Sequence, residues 1–163
     1  MSANKIRIMG IDPGLLHTGW GVIEFAGGRF VHIANGTIDV PARGTLAERL
    51  SEIHRRLAAA VAEFKPDEAA VEETFVNMNP SSTLRLGQAR GVAMLTPQLA
   101  GVKVFEYSAN LVKKAVVGVG HAQKAQVEMM VGVLLGRPKI DSEHAADALA
   151  NAICHAHNRG APK

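Results

Sequence analysis

Three strand-like segments fill the first 40 residues with no room for a helix between them, and this spacing limits the possible folds more than any other feature. Residues 5–11 read as a buried strand. Residues 18–25, with Trp20, Val22, Ile23 and Phe25, read as a second, and 29–39 as a third. Gly27-Gly28 is a hairpin signal between the last two. Strands linked this closely pair antiparallel, because a parallel pair needs a long crossover. The pattern then changes to helix–strand alternation. Thr45 and Glu48 form a capping box, followed by Leu46, Leu50, Ile53, Leu57 and Val61 at helical spacing. Lys65-Pro66-Asp67 ends that helix, and 68–72 form a short fourth strand. A helix from about Ser81 carries Leu84, Ala89, Val92 and Leu95, with Pro97 ending or kinking it. Residues 102–106 give a fifth strand. Short helical segments follow at 109–116 and 123–135, and a last helix spans about 143–155.

This order predicts an α/β domain: a mixed five-stranded sheet flanked by helices, the topology of the ribonuclease H-like fold. At 163 residues the chain suits one domain, expected over 1–157, with a polar tail at 158–163. No apolar run approaches the ~20 residues a membrane span needs, and no secretory signal is visible. The single cysteine, Cys154, leaves no internal disulfide. The expected location is therefore cytoplasmic, with no membrane association. A net charge of +3 hints at an anionic partner, and Arg85, Arg90, Lys113-Lys114 and Lys124 all fall in the second half.

Four side chains stand where one site would gather them. Asp12 follows the first strand, in Gly10-Ile11-Asp12-Pro13-Gly14. Glu72 ends the fourth. His144 and Asp147 lie three apart, on one face of the last helix. Carboxylates at strand ends plus a helical pair suit magnesium-dependent phosphodiester cleavage. Asp12-Pro13-Gly14 would also serve as a turn cap, and the same opening occurs in actin-like ATPases. Gly14 and Gly19 leave room for a phosphate near the backbone. Adjacent strand residues face opposite sides, so only one of Glu72 and Glu73 can join Asp12, and strand phase alone does not choose. Phe75, in a polar loop, is either a core residue or a stacking platform for an unpaired base. Lys113 and Lys124 are either solvated charges or phosphate contacts. Gly87 and Gly91, four apart in a helix, imply close approach of another helix, within the domain or across a dimer.

Six segments in order resemble the RuvC family of Holliday-junction resolvases over about residues 5–157: Gly10–Gly14, Val71-Glu72-Glu73-Thr74-Phe75-Val76, Leu86-Gly87-Gln88-Ala89-Arg90-Gly91, Val104–Tyr107, Val116–Gly120 and His144–Ala150. The resemblance implies a homodimeric endonuclease that nicks two strands of like polarity across a four-way DNA junction. It implies Asp12, Glu72, His144 and Asp147 as catalytic residues and metal ligands. It also implies two Mg²⁺ ions roughly 3.5–4 Å apart, with Mn²⁺ able to substitute. Phe75, Lys113 and Lys124 fall at its DNA-contacting positions. A RuvA–RuvB branch-migration motor is its implied partner. A nuclease of the same fold acting on RNA, and a module that grips branched DNA without cutting it, are the alternatives.

Overall fold

The structure is a computed structural model that describes residues 4–74 and 78–160. Its strands are β1 (Ile6–Asp12), β2 (His17–Ala26), β3 (Arg29–Asp39), β4 (Glu68–Glu72) and β5 (Lys103–Tyr107). Its helices are α1 (Leu46–Phe64), α2 (Pro80–Leu99), α3 (Ala109–Val117), α4 (Lys124–Leu134) and α5 (Glu143–Asn158). The sheet order is β3-β2-β1-β4-β5. The first three strands form the expected antiparallel meander, whereas β1–β4 and β4–β5 pair in parallel.

The two-residue strand period splits the core between the sheet's faces. Ile6 and Ile8 of β1 pack with α3, α4 and α5 on one side. Met9 and Ile11 pack with α1 and α2 on the other. Thr45 caps α1 through the reciprocal bonds with Glu48 that the sequence implies. Asn79 caps α2 by accepting from the Ser82 amide at 3.2 Å, so the helix begins at Pro80, one residue before the expected start. Proline suits that first turn because its missing N–H would find no helical partner there. Pro97 does not break α2 but sits in its last turn, where its carbonyl accepts from the Ala100 and Val102 amides.

α5 lies unusually close to the sheet, and glycine explains why. Gly10 of β1 is registered opposite Gly21 of β2, and Asp12 opposite Gly19. A Cβ on Gly10 would stand 1.7 Å from the Ala148 carbonyl oxygen, and one on Gly19 2.0 Å from that of His144. Ala145, Ala146, Ala148, Ala150 and Ala152 supply the matching small surface on α5, all of them buried. Asn151 secures the contact by donating to the Ile11 carbonyl at 2.9 Å. The helix therefore rests nearly backbone to backbone beside the end of β1.

Candidate active site

β1 and β4 run in parallel with Ile11 beside Val71, so their C-terminal residues Asp12 and Glu72 emerge side by side. Alternation sends Asp12 to the side of Ile8 and Gly10, toward α5. It sends Glu72 to the side of Glu68, whose carboxylate meets His155 of α5 at 2.5 Å. Glu73 is exposed, and its amide donates to the Tyr107 carbonyl at 2.7 Å. The choice between Glu72 and Glu73 thus follows from the pairing of β4 with β1. α5 delivers His144 and Asp147 from its first turns. Ser142 caps this helix by accepting from the Ala145 amide, and it bonds Thr37 of β3 at 2.5 Å. That link fixes the helix start against the sheet.

His144 Nδ1 lies 3.1 Å from Asp12 Oδ2. Lys124 Nζ lies 3.5 Å from Asp147 Oδ2 and 3.2 Å from Glu143 Oε2. Glu72, Asp147, Lys113 and Lys124 line a cleft of about 260 Å³ between the end of β4 and helices α3, α4 and α5. Burial, then the charge of Asp147, push the Asp12 pKa up to about 6, against the opposing pull of His144 and Lys124. Burial, then the charges of Asp12 and Asp147, raise Glu72, with Lys113 opposing. Burial raises Asp147 as well, against Lys124. Three carboxyls therefore share a space in which burial and neighbouring carboxylates disfavour their charge, with His144, Lys113 and Lys124 offsetting part of it. Such crowding is costly unless something cationic is to be held.

Residues 8–155 match the family model of the crossover junction endodeoxyribonuclease RuvC. The chain belongs to the RuvC family. It is 61% identical over 160 residues to the crossover junction endodeoxyribonuclease RuvC of Azorhizobium caulinodans, covering 98% of this chain and 95% of the relative. It is 58% identical over 161 residues to that of Xanthobacter autotrophicus, covering 99% and 95%. Among solved structures it superposes on Thermus thermophilus RuvC in complex with Holliday junction substrate with a TM-score of 0.85. The identity there is 34%, and 93% of each chain is covered. The ribonuclease H-like fold and the endodeoxyribonuclease class thus stand as expected from the sequence.

RuvC proteins are metal-dependent nucleases, and the donor set here fits a divalent ion. Carboxylate oxygens suit a hard cation, and the raised carboxyl pKa values mark negative charge awaiting neutralisation. Among the described residues no three His, Cys, Asp or Glu side chains are already gathered tightly enough to cage a bare ion. With Nδ1 of His144 turned to Asp12, its Nε2 lies 3.8 Å from Glu143 Oε1.

The space at two glycines is used differently from the sequence reading. Gly19 admits the backbone of α5, and Gly14 admits the His17 carbonyl, 2.3 Å from where a Cβ would stand. At both, the space a Cβ would take is filled by the protein's own backbone. Lys113 and Lys124 both line the cleft, Lys124 already paired to two acids. Phe75 lies outside the described residues. Three neighbours were given no role beside these four residues from sequence. Glu143 holds Lys124 at 3.2 Å. His17 stacks on His144 at 5.3 Å between ring centroids while bonding Asp39 at 2.7 Å. Arg90 meets the backbone of Glu72. Only Arg90 left a sequence trace, within the Leu86–Gly91 segment. A larger groove of about 740 Å³ runs along β5 and the end of α5. There Glu68 is held by His155 and Arg159, and Tyr107 by His155 at 2.6 Å, so these polar groups satisfy one another.

Proposed function

We propose that this chain resolves four-way DNA junctions by hydrolysing one phosphodiester bond in each of two strands of like polarity. The observation that carries the reading is that Glu72 and Asp147 line one lysine-flanked cleft and Asp12 lies within reach of both charges, each of the three with its carboxyl pKa raised. Asp12, Glu72, His144 and Asp147 would hold two Mg²⁺ ions, with Mn²⁺ able to replace them. Bound there, the ions supply positive charge that activates water and stabilises the leaving oxygen. Asp12 sits centrally, between Glu72 on the neighbouring strand and the helical pair. His144 orients the Asp12 carboxylate through Nδ1 and has Nε2 as its second ligating nitrogen. Lys113 and Lys124 bring charge to the scissile phosphate, Lys124 exchanging its bonds to Glu143 and Asp147 for DNA oxygens. Phe75, three residues beyond Glu72, stacks on a base freed at the crossover.

A second copy of the chain completes the enzyme, because symmetric nicking needs two sites related by a two-fold axis. Its seat is the outer stripe of α2. Leu84, Gly87, Gly91, Leu95 and Leu99 recur at helical spacing and are exposed. A Cβ added at Gly87 or Gly91 meets nothing within 4 Å, so packing inside the protomer does not account for either glycine. Among the described residues no helix is long and apolar enough to cross a membrane. Action in the cytoplasm, after a RuvA–RuvB motor, completes the reading.

The test incubates the protein with a synthetic four-way junction, a linear duplex and an RNA–DNA hybrid, with and without Mg²⁺. Cleavage of the junction alone, and only with metal, is expected. Preferential cleavage of the hybrid would assign an RNA substrate. Tight junction binding without cleavage would leave a binding module.

A further inference from the structure

The sequence marks Leu86–Gly91 as a distinctive segment, yet the proposed chemistry gives Arg90 no task. Its surroundings supply one. Arg90 Nε and Nη2 both donate to the Glu72 carbonyl oxygen, each at 3.2 Å. Nη2 also reaches Glu106 Oε1 of β5 at 2.5 Å, and Nη1 lies 3.3 Å from Met94 Sδ. Every nitrogen of the guanidinium is thus engaged within the protein. The side chain is only 16% exposed. Although cationic and close to the cleft, Arg90 is not placed to contact a phosphate.

We infer that Arg90 is a positioning residue that sets the direction of the Glu72 carboxylate. Glu72 is the last residue of β4. The β1–β4 register ends at Val71, so on that side no ladder partner follows it. On the other side the ladder ends with Glu72 beside Tyr107 and the Glu73 amide on the Tyr107 carbonyl. The peptide leaving Glu72 is therefore held by β5 through its N–H and by Arg90 through its C=O. Fixing that peptide fixes the Glu72 backbone torsions, and with them the Cα–Cβ direction. A carboxylate displaced by about 1 Å can cost on the order of a hundredfold in rate. A planar fork bound to two acceptors resists rotation in a way a lysine ammonium does not. Because Arg90 belongs to α2, it also ties Glu72 to the helix whose outer stripe is the proposed dimer seat.

This inference rests on the reading of Glu72 as an active-site ligand, and the test separates the two. Arg90→Ala, Arg90→Lys, Glu106→Gln and Glu72→Gln are compared in the full-length protein. The readouts are single-turnover junction cleavage per folded molecule, junction affinity in chelator, and the rise in melting temperature on adding Mn²⁺. Arg90→Ala should cut ten- to a hundredfold more slowly. Its junction affinity should stay within twofold, and its Mn²⁺-induced stabilisation should fall toward that of Glu72→Gln. Arg90→Lys should recover part of the rate, and Glu106→Gln should lose threefold or more. Adding Arg90→Ala to Glu72→Gln should not weaken the Mn²⁺ response further. If Arg90→Ala does not fold, Arg90→Lys and Glu106→Gln carry the comparison, and wild-type values in both overturn the inference. A lower melting temperature with wild-type rate and Mn²⁺ response in Arg90→Ala overturns it as well. So does a loss of junction affinity with a flatter salt dependence, which would make Arg90 a phosphate contact. Normal cleavage by Glu72→Gln overturns both readings, whereas an inactive Glu72→Gln beside a fully active Arg90→Ala overturns only this one.

Discussion

Replacing Asp12 with asparagine should make the metal-free protein more stable while removing its activity. The Asp12 carboxyl, ordinarily near 3.8, is pushed up to about 6 by burial and by Asp147. A carboxyl raised in the folded state binds its proton more tightly there than in the unfolded chain. Stability therefore falls as pH rises from about 3.8 through about 6, and the whole penalty is present at pH 7.5. Moving a carboxyl over that interval corresponds to about 3 kcal/mol as an upper bound. The side chain is 28% exposed, so solvent relieves part of this, leaving about 1–2 kcal/mol. At roughly 2–4 °C per kcal/mol for a domain of this size, Asp12→Asn should melt about 2–8 °C higher in chelator at pH 7.5. The amide oxygen can still accept from His144 Nδ1, so the local geometry survives. The assay is thermal unfolding of both proteins in chelator at several pH values, repeated with Mn²⁺. The advantage of the variant should shrink as pH falls through 6 and vanish below about 4. Added Mn²⁺ should stabilise the wild type and leave the variant nearly unmoved. A variant less stable than wild type in chelator at pH 7.5, or an advantage independent of pH, would refute the reasoning.

Glu72→Gln should abolish junction cleavage while Glu73→Gln keeps most of it, since Glu73 is exposed and only its amide is engaged; rates measured side by side check this. Lys113→Ala should leave the melting temperature nearly unchanged and flatten the slope of log K against log salt by roughly 0.7–0.9, read from a binding titration at several salt concentrations. Gly10→Ala should fail to fold or lose the site. Its Cβ would stand 1.7 Å from the Ala148 carbonyl oxygen, and circular dichroism with thermal melting reports the outcome.

Much of the architecture was legible because local signals agreed with the final packing. The Gly27-Gly28 turn, the Thr45–Glu48 capping box and the strand at 68–72 all depend on near neighbours in sequence. Asp12, Glu72, His144 and Asp147 were marked in the sequence by their places at two strand ends and in the first turns of the last helix, and the fold brings these ends together. The choice of Glu72 over Glu73 was not legible from strand phase. It depends on β4 pairing with β1, a contact about 60 residues distant in sequence. Gly19 was misread for a similar reason: whether α5 or a ligand fills the space beside a glycine is decided by a helix more than 120 residues further on. Arg90 meets Glu72 across 18 residues and His17 meets His144 across the length of the chain, so neither pairing is local. A lone arginine or histidine carries no periodicity that would reveal its partner.

Symmetric cutting of four-way junctions at this cleft is tested by strand-resolved mapping of the nicks made in a synthetic junction with each of the four strands labelled in turn. Nicks are expected in two strands of like polarity, at matching distances from the crossover, dependent on Mg²⁺ and absent in Asp12→Asn. Nicks scattered over all four strands, equal cutting of a linear duplex, or unchanged cutting by Asp12→Asn would contradict it.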